Sequence, residues 1–118
     1  MSSEVIHFFF ELQLNLKMYH WMTGSYARHK ASDQLLDELS GKVDQFVEVY
    51  IGRNGKPKVS GKKHVTYGAL SDKDVVGYLK TQLSHVEKMD LSKYADLDNI
   101  RAEIVAAMNQ ALYLFALE

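Results

Sequence analysis

A chain of 118 residues that is 47% apolar and 25% charged has room for one hydrophobic core and is too apolar to stay disordered. Its 14 Lys and Arg against 15 Asp and Glu give a net charge of -1, which excludes an overall polycation but leaves room for a local basic patch. With 0 Cys, disulfides, thiol catalysis and Cys-held zinc or iron–sulfur sites are excluded, so any metal must be held by His, Asp or Glu.

The first element, about Ser3 to Met22, is ambiguous in period. Glu11 to Met18 alternates apolar with polar as a strand does. The segment is nevertheless too long for a strand and holds no breaker, and Leu, Met, Gln, Lys and Glu dominate it, so helix is favoured. Val5, Phe8, Leu12, Leu16 and Tyr19 then form one stripe, and Ile6, Phe10, Leu14, Met18 and Trp21 a second. Two stripes predict burial on two sides, against the chain's own core and against a second subunit.

A second helix is expected from the Thr23-Gly24-Ser25 turn to Ile51, ended by Gly52, with Leu36, Leu39, Val43, Phe46 and Tyr50 at steps of three and four. Between residues 52 and 68 lie Gly52, Gly55, Gly61, Gly68 and the lone Pro57, which marks a long link. Ser71-Asp72-Lys73-Asp74 resembles a capping box opening a third helix, and Asp96 is placed as N-cap of a fourth. The expected fold is all-α, a single ferritin-like four-helix bundle over residues 1–118 with a long connection between helices two and three. No apolar stretch reaches membrane-spanning length and no targeting segment is visible, so a cytoplasmic protein is expected.

The chemistry concentrates on His20, at the end of the first helix, and on His29, Asp33, Asp44 and Glu48 of the second. At about 100° per residue, Asp33, Asp44 and Glu48 fall within about 100° of His29, so the four share one face. His29/Asp33 and Asp44/Glu48 are each i,i+4 pairs, close enough for both members to hold one ion, and imidazole with carboxylate suits iron, manganese or zinc. Asp33 and Asp44 stand about 16 Å apart along the axis, so the two pairs cannot serve one ion within one chain. They form either two separate half-sites or, about a twofold axis near Glu38 and Leu39, two equivalent sites shared between antiparallel copies. Small Ser40 and Gly41 near that axis let the helices approach. A row of acids on a helix is also what a plain solvated face looks like.

Tyr19-His20-Trp21, Gly24 and Tyr26, His29-x-x-x-Asp33 and Asp44-x-x-x-Glu48 together resemble the signature of the Dps family, the miniferritins or DNA-binding proteins from starved cells. The likeness covers roughly Leu14 to Gly52, and short chains of this kind resemble those carried by some phages and large viruses. It implies a hollow dodecameric homo-oligomer that oxidises Fe(II) at sites between subunits, stores the ferric mineral and protects against oxidative stress. By position, His20, His29 and Asp33 would come from one chain and Asp44 and Glu48 from its dyad mate. Peroxide, or else dioxygen, would be the oxidant, and zinc or manganese would be substitute metals. Trp21 would stand beside the site as the catalytic residue that takes up a stray radical; the other reading of Trp21 is a core aromatic. The spacing from His20 to His29 is shorter than in that family, and the N-terminal Met1-Ser2-Ser3-Glu4 lacks its Lys-rich tail. Localisation would be the host cytoplasm or the virion.

Other features point less sharply. Asp37, between the pairs, reads as an outer ligand or as an exposed acid. Arg53, Lys56, Lys58, Lys62 and Lys63 occur with no acid from residue 49 to 70, a patch that could bind DNA from a multivalent cage or simply be solvated. His7, His64 and His85 are read as structural, for want of carboxylates at helical spacing. The alternative function is a non-enzymatic helical assembly or DNA-coating protein with a degraded or zinc-filled site.

Overall fold

The structure, a computed structural model, describes residues 3–117. Met1 and Ser2, of the N-terminal stretch that lacks lysine, lie outside the described residues, as does Glu118. Four helices, α1 (Ser3–Met22), α2 (Tyr26–Asn54), α3 (Val75–Glu87) and α4 (Ala95–Ala116), carry the whole fold, with no strand among the described residues. The alternation of Glu11 to Met18 is therefore overridden. Phe9, Leu12, Leu16 and Tyr19 recur at helical steps and are buried, whereas Phe10, Leu14 and Trp21 on the other side remain 56%, 46% and 63% exposed.

Direction follows from the contacts. The short turn after α1 makes α2 antiparallel to it, so that Phe9 meets Phe46 edge-on, centroids 5.8 Å apart. The link from Gly55 to Asp74 then runs back along α1. The Thr66 N–H donates to Glu11 Oε1 (3.1 Å), Asn15 Nδ2 donates to the Thr66 carbonyl (3.2 Å), and the Gly68 N–H donates to Asn15 Oδ1 (3.1 Å). Those bonds carry the chain to the opposite end of the bundle before α3 starts, so α3 runs parallel to α2 and α4 returns antiparallel. One long crossover in a four-helix bundle is the ferritin-like arrangement. Leu35, Leu39, Val43 and Phe46 of α2, Val75, Leu79 and Val86 of α3, and Leu97, Ile104, Met108 and Phe115 of α4 close a single core. No helix among the described residues is long and apolar enough to cross a membrane.

Several boundaries differ from expectation. Helix α2 passes through Gly52 and ends three residues later, where Gly55 takes φ 81° and donates its N–H to the Ile51 carbonyl (2.8 Å). A left-handed φ is what glycine supplies at a helix end, and Gly52 does not need it. Only part of the capping box forms. Ser71 Oγ accepts the Asp74 N–H (3.1 Å), and Asp74 itself makes no side-chain cap bond. Asp96 is not an N-cap: α4 begins at Ala95, and the Asp96 carboxylate is drawn to Arg53, whose Nε lies 2.9 and 3.0 Å from its two oxygens. Arg53 is thus still on α2, ion-paired and stacked over Tyr94, and it drops out of the basic link, leaving Lys56, Lys58, Lys62 and Lys63 exposed.

Candidate metal centre

The site grows from the three-residue turn between α1 and α2. Ser25 stops the chain in an extended conformation (φ -106°, ψ 122°) and accepts the Arg28 N–H on its Oγ (3.1 Å), which fixes the first turn of α2. Thr23 closes α1 by donating its N–H to the Tyr19 carbonyl (2.9 Å). These two caps bring the last turn of α1 against the first turn of α2, and His20 against His29.

The two imidazoles stack, with centroids 3.9 Å apart and planes 18° from parallel. Each is held by the other's backbone: His20 Nδ1 lies 2.9 Å from the His29 carbonyl, and His29 Nδ1 lies 2.9 Å from the His20 carbonyl. A carbonyl oxygen only accepts, so both Nδ1 atoms must carry the proton and donate. In the neutral ring this leaves the lone pair on Nε2, the tautomer suited to binding a metal, and it is the backbone arrangement that commonly orients ligating histidines. Ser32 Oγ, fully buried, donates to the same His29 carbonyl (3.1 Å) and lies 3.1 Å from His20 Nδ1.

His20 Nε2 points to the rim, 4.0 Å from Asp33 Oδ1. His20 is 7% exposed, whereas the Asp33 side chain is 62% exposed, so the imidazole edge marks the border between core and solvent. Tyr26 extends the ring column past His29, centroids 6.4 Å apart. The shortened turn therefore still brings the histidines together with Asp33.

Asp44 and Glu48 do not join them. They are exposed on α2, and because α2 is unbroken from Tyr26 to Asn54, they stay about 16 Å (Asp44) and about 22 Å (Glu48) from Asp33 along the axis. No group of three or more His, Asp and Glu side chains is arranged to hold a metal ion among the described residues, so one chain offers at most part of a coordination sphere. Asp37 is exposed and shares with Asp33 the two shallow grooves that flank α2, one toward Lys17 and Leu14 of α1, the other toward Leu114 and Leu117 of α4.

Trp21 is 63% exposed, with Lys17 Nζ 5.5 Å from its ring centroid, and this rules out the core-aromatic reading within the chain. His7 does have a carboxylate at helical spacing: its Nε2 lies 2.9 Å from Glu11 Oε1, four residues on. His85 meets Phe8 edge-on and His64 is exposed in the link. Sequence reasoning missed Ser32, whose signal was available as a polar residue at a buried position of the α2 stripe. It also missed Asp72, whose proximity to the turn depends on the path of the link. Tyr19 and Thr23 hydroxyls donate to Asp72 Oδ1 at 2.7 and 2.6 Å.

What fold and site define together is an all-α bundle with one long crossover and a carbonyl-locked histidine pair at the turn joining its first two helices. Residues 20–115 match the family described as "Family of unknown function (DUF5856)", and the chain belongs to that family. A stretch of 37 residues is 49% identical to the uncharacterized 14.6 kDa protein in the mobD-ri intergenic region of Enterobacteria phage T4. It covers 31% of this chain and 29% of that protein, so the chain matches well under two-thirds of the relative's length. No solved structure matches the chain.

Proposed function

We propose that the chain is a Dps-like miniferritin subunit that binds Fe(II) as substrate at sites shared between two copies, oxidises it and stores the ferric product in a hollow oligomer, in the cytoplasm of a host cell or in a virion. The observation that carries this reading is the reciprocal His20–His29 lock, which commits both Nδ1–H groups to carbonyls and frees both Nε2 atoms, that of His20 4.0 Å from Asp33 Oδ1. A polar pair so oriented, with His20 buried and His29 half-buried, has no evident use in packing alone.

The other half of the sphere comes from symmetry. His29 pairs with Glu48, and Asp33 with Asp44, about one midpoint of α2, between Glu38 and Leu39. A single antiparallel dyad there brings both ligand pairs together at once, which two unrelated acid pairs would not share. The apolar face of α1, with Phe10, Leu14 and Trp21, lies beside this face of α2 and supplies surface for the partner to cover.

Imidazole nitrogen holds Fe(II), while the hard anionic carboxylates favour Fe(III), so the mixed set favours loss of one electron from each iron. Open positions on the ion admit peroxide or dioxygen, which takes the electrons two at a time. On this reading Trp21, next to His20 in sequence, would take up a stray oxidising equivalent.

Aerobic or peroxide-driven Fe(II) oxidation, followed by near-ultraviolet absorbance of the ferric product, tests the reading. His29→Ala and the double variant Asp44→Ala/Glu48→Ala should each slow it by at least about 10–100-fold, the cost of losing even an outer residue that orients a metal ligand. Mixing the two variants should restore part of the rate, because each supplies the half the other lacks. Oxidation that proceeds equally in all three proteins overturns the assignment.

A further inference from the structure

We infer that Asp72 is a positioning residue for the histidine pair: its carboxylate latches the far end of the α2–α3 link onto the α1–α2 turn and thereby keeps His20 and His29 in register. The consequence for metal affinity rests on the proposed function, whereas the latch itself does not.

The turn that must hold the histidines is short and contains Gly24, so something outside it has to fix its shape. Asp72 does so through both functional groups. Its Oδ1 accepts from the Tyr19 hydroxyl (2.7 Å) and the Thr23 hydroxyl (2.6 Å), and its Oδ2 accepts from the Gly24 N–H (3.4 Å). Its backbone carbonyl accepts from Arg28 Nη1 (2.6 Å), while Arg28 Nη2 donates to the Phe115 carbonyl (3.3 Å) at the end of α4. Tyr19 immediately precedes His20 and Arg28 immediately precedes His29, so one residue of the link grips the neighbours of both imidazoles.

The grip is not incidental packing. Tyr19 is fully buried, its ring edge-on to Phe115 at 5.8 Å, so its hydroxyl cannot swing to water without moving the core. Arg28 Nε is buried with no hydrogen-bond partner, and the guanidinium is therefore held by its Nη bonds at the cost of one unsatisfied donor. Since each histidine donates to the other's backbone carbonyl, a small shift of α1 against α2 at this turn breaks both Nδ1–H bonds together. Outer residues that orient ligands in this way are worth about 10–100-fold in metal affinity when removed.

The test uses the full chain in two arms. Without metal, exchange of the His20 and His29 Nδ1 protons is followed by nitrogen-15-edited NMR. Asp72→Ala should speed it by at least about tenfold with helix content unchanged, while Asp72→Asn, which keeps an acceptor, retains most of the protection. Leu79→Ala, a core truncation in α3, should leave these two protons protected, which separates positioning from general destabilisation. If Asp72→Ala does not fold, the pair Thr23→Val and Tyr19→Phe carries the same readout. In the second arm, Co(II) binding should weaken by about tenfold in Asp72→Ala. Unchanged Nδ1–H exchange in every latch variant overturns the latch. Failure of the wild-type protein to bind Co(II) overturns the metal site and leaves the first arm to judge the latch.

Discussion

Asp72 accepts two hydroxyl donors on one oxygen, and such a carboxylate stabilises the fold more when ionised than when protonated. The Thr23 bond first, then the Tyr19 bond, hold its carboxyl below the usual carboxylate range, against the opposing effect of burial. Burial, in turn, is the main reason that the Tyr19 phenol is raised above its ordinary value. A depressed carboxyl adds stability above the unfolded-state value of about 4 and loses it as pH falls through the lowered folded-state value. Glu11, Asp90 and Asp96 are also depressed, first by the Thr66 backbone, the Ser92 hydroxyl and Arg53 respectively, so acid lability in general is shared among several groups. Comparison of wild type with Asp72→Asn isolates one of them. Thermal melts should show a gap between the two proteins that is widest near neutral pH and narrows as pH falls below the unfolded-state value and through the lowered folded-state one. A gap independent of pH would mean that Asp72 acts by shape and not by charge.

At the scale of elements, α1 and α2 each present two distinct faces. Their inner faces enter the core, and their outer faces carry Phe10, Leu14 and Trp21 on one helix and Asp33, Asp44 and Glu48 on the other. Gly41 sits in the middle of α2 where a Cβ would meet nothing within 4 Å, and its φ is not in the left-handed region. Nothing inside the chain therefore requires glycine there, although it costs the helix about 1 kcal/mol relative to Ala. Gly41→Leu should consequently raise the melting temperature of the isolated subunit while weakening self-association, two shifts of opposite sign; equilibrium sedimentation with thermal melts reads both. If association is undiminished, α2 does not pack against a second α2 at this point. The helices themselves were legible because their stripes run for many turns with few breakers. Their ends were not: Gly52 and Gly55 are equally good terminators locally, and only the extra turn bearing Arg53, drawn to Asp96, decides between them. The candidate ligands of α2 stand out in the sequence by their i,i+4 spacing on one helix. The lock that orients His20 and His29 was not, since it depends on backbone carbonyls brought together by a turn and on a link whose path leaves no period in the sequence.

The whole subunit is a slab, 42 × 32 × 20 Å, with a radius of gyration of 14.6 Å. A compact domain of this length would have about 13.5 Å, so the excess reflects elongation along the helices and a link laid on one side. A thin slab has a large surface for its volume, and this one leaves Met22, Tyr26, Tyr113 and Leu117 exposed in addition to the α1 stripe. On the proposed function, packing against several neighbours in a closed shell would cover this apolar surface. Because the described residues of one chain hold no group of three ligands, the proposed function ties chemistry to assembly: on that reading each site forms only where two copies meet. Small-angle scattering should therefore give a radius of gyration well beyond 14.6 Å, with the intensity profile of a hollow particle, and Leu14→Glu on the α1 face should bring it back toward the subunit value together with loss of Fe(II) oxidation. Scattering from the wild-type protein that stays at the subunit radius over a wide concentration range would leave both ligand pairs permanently apart and would remove the basis for shared iron chemistry.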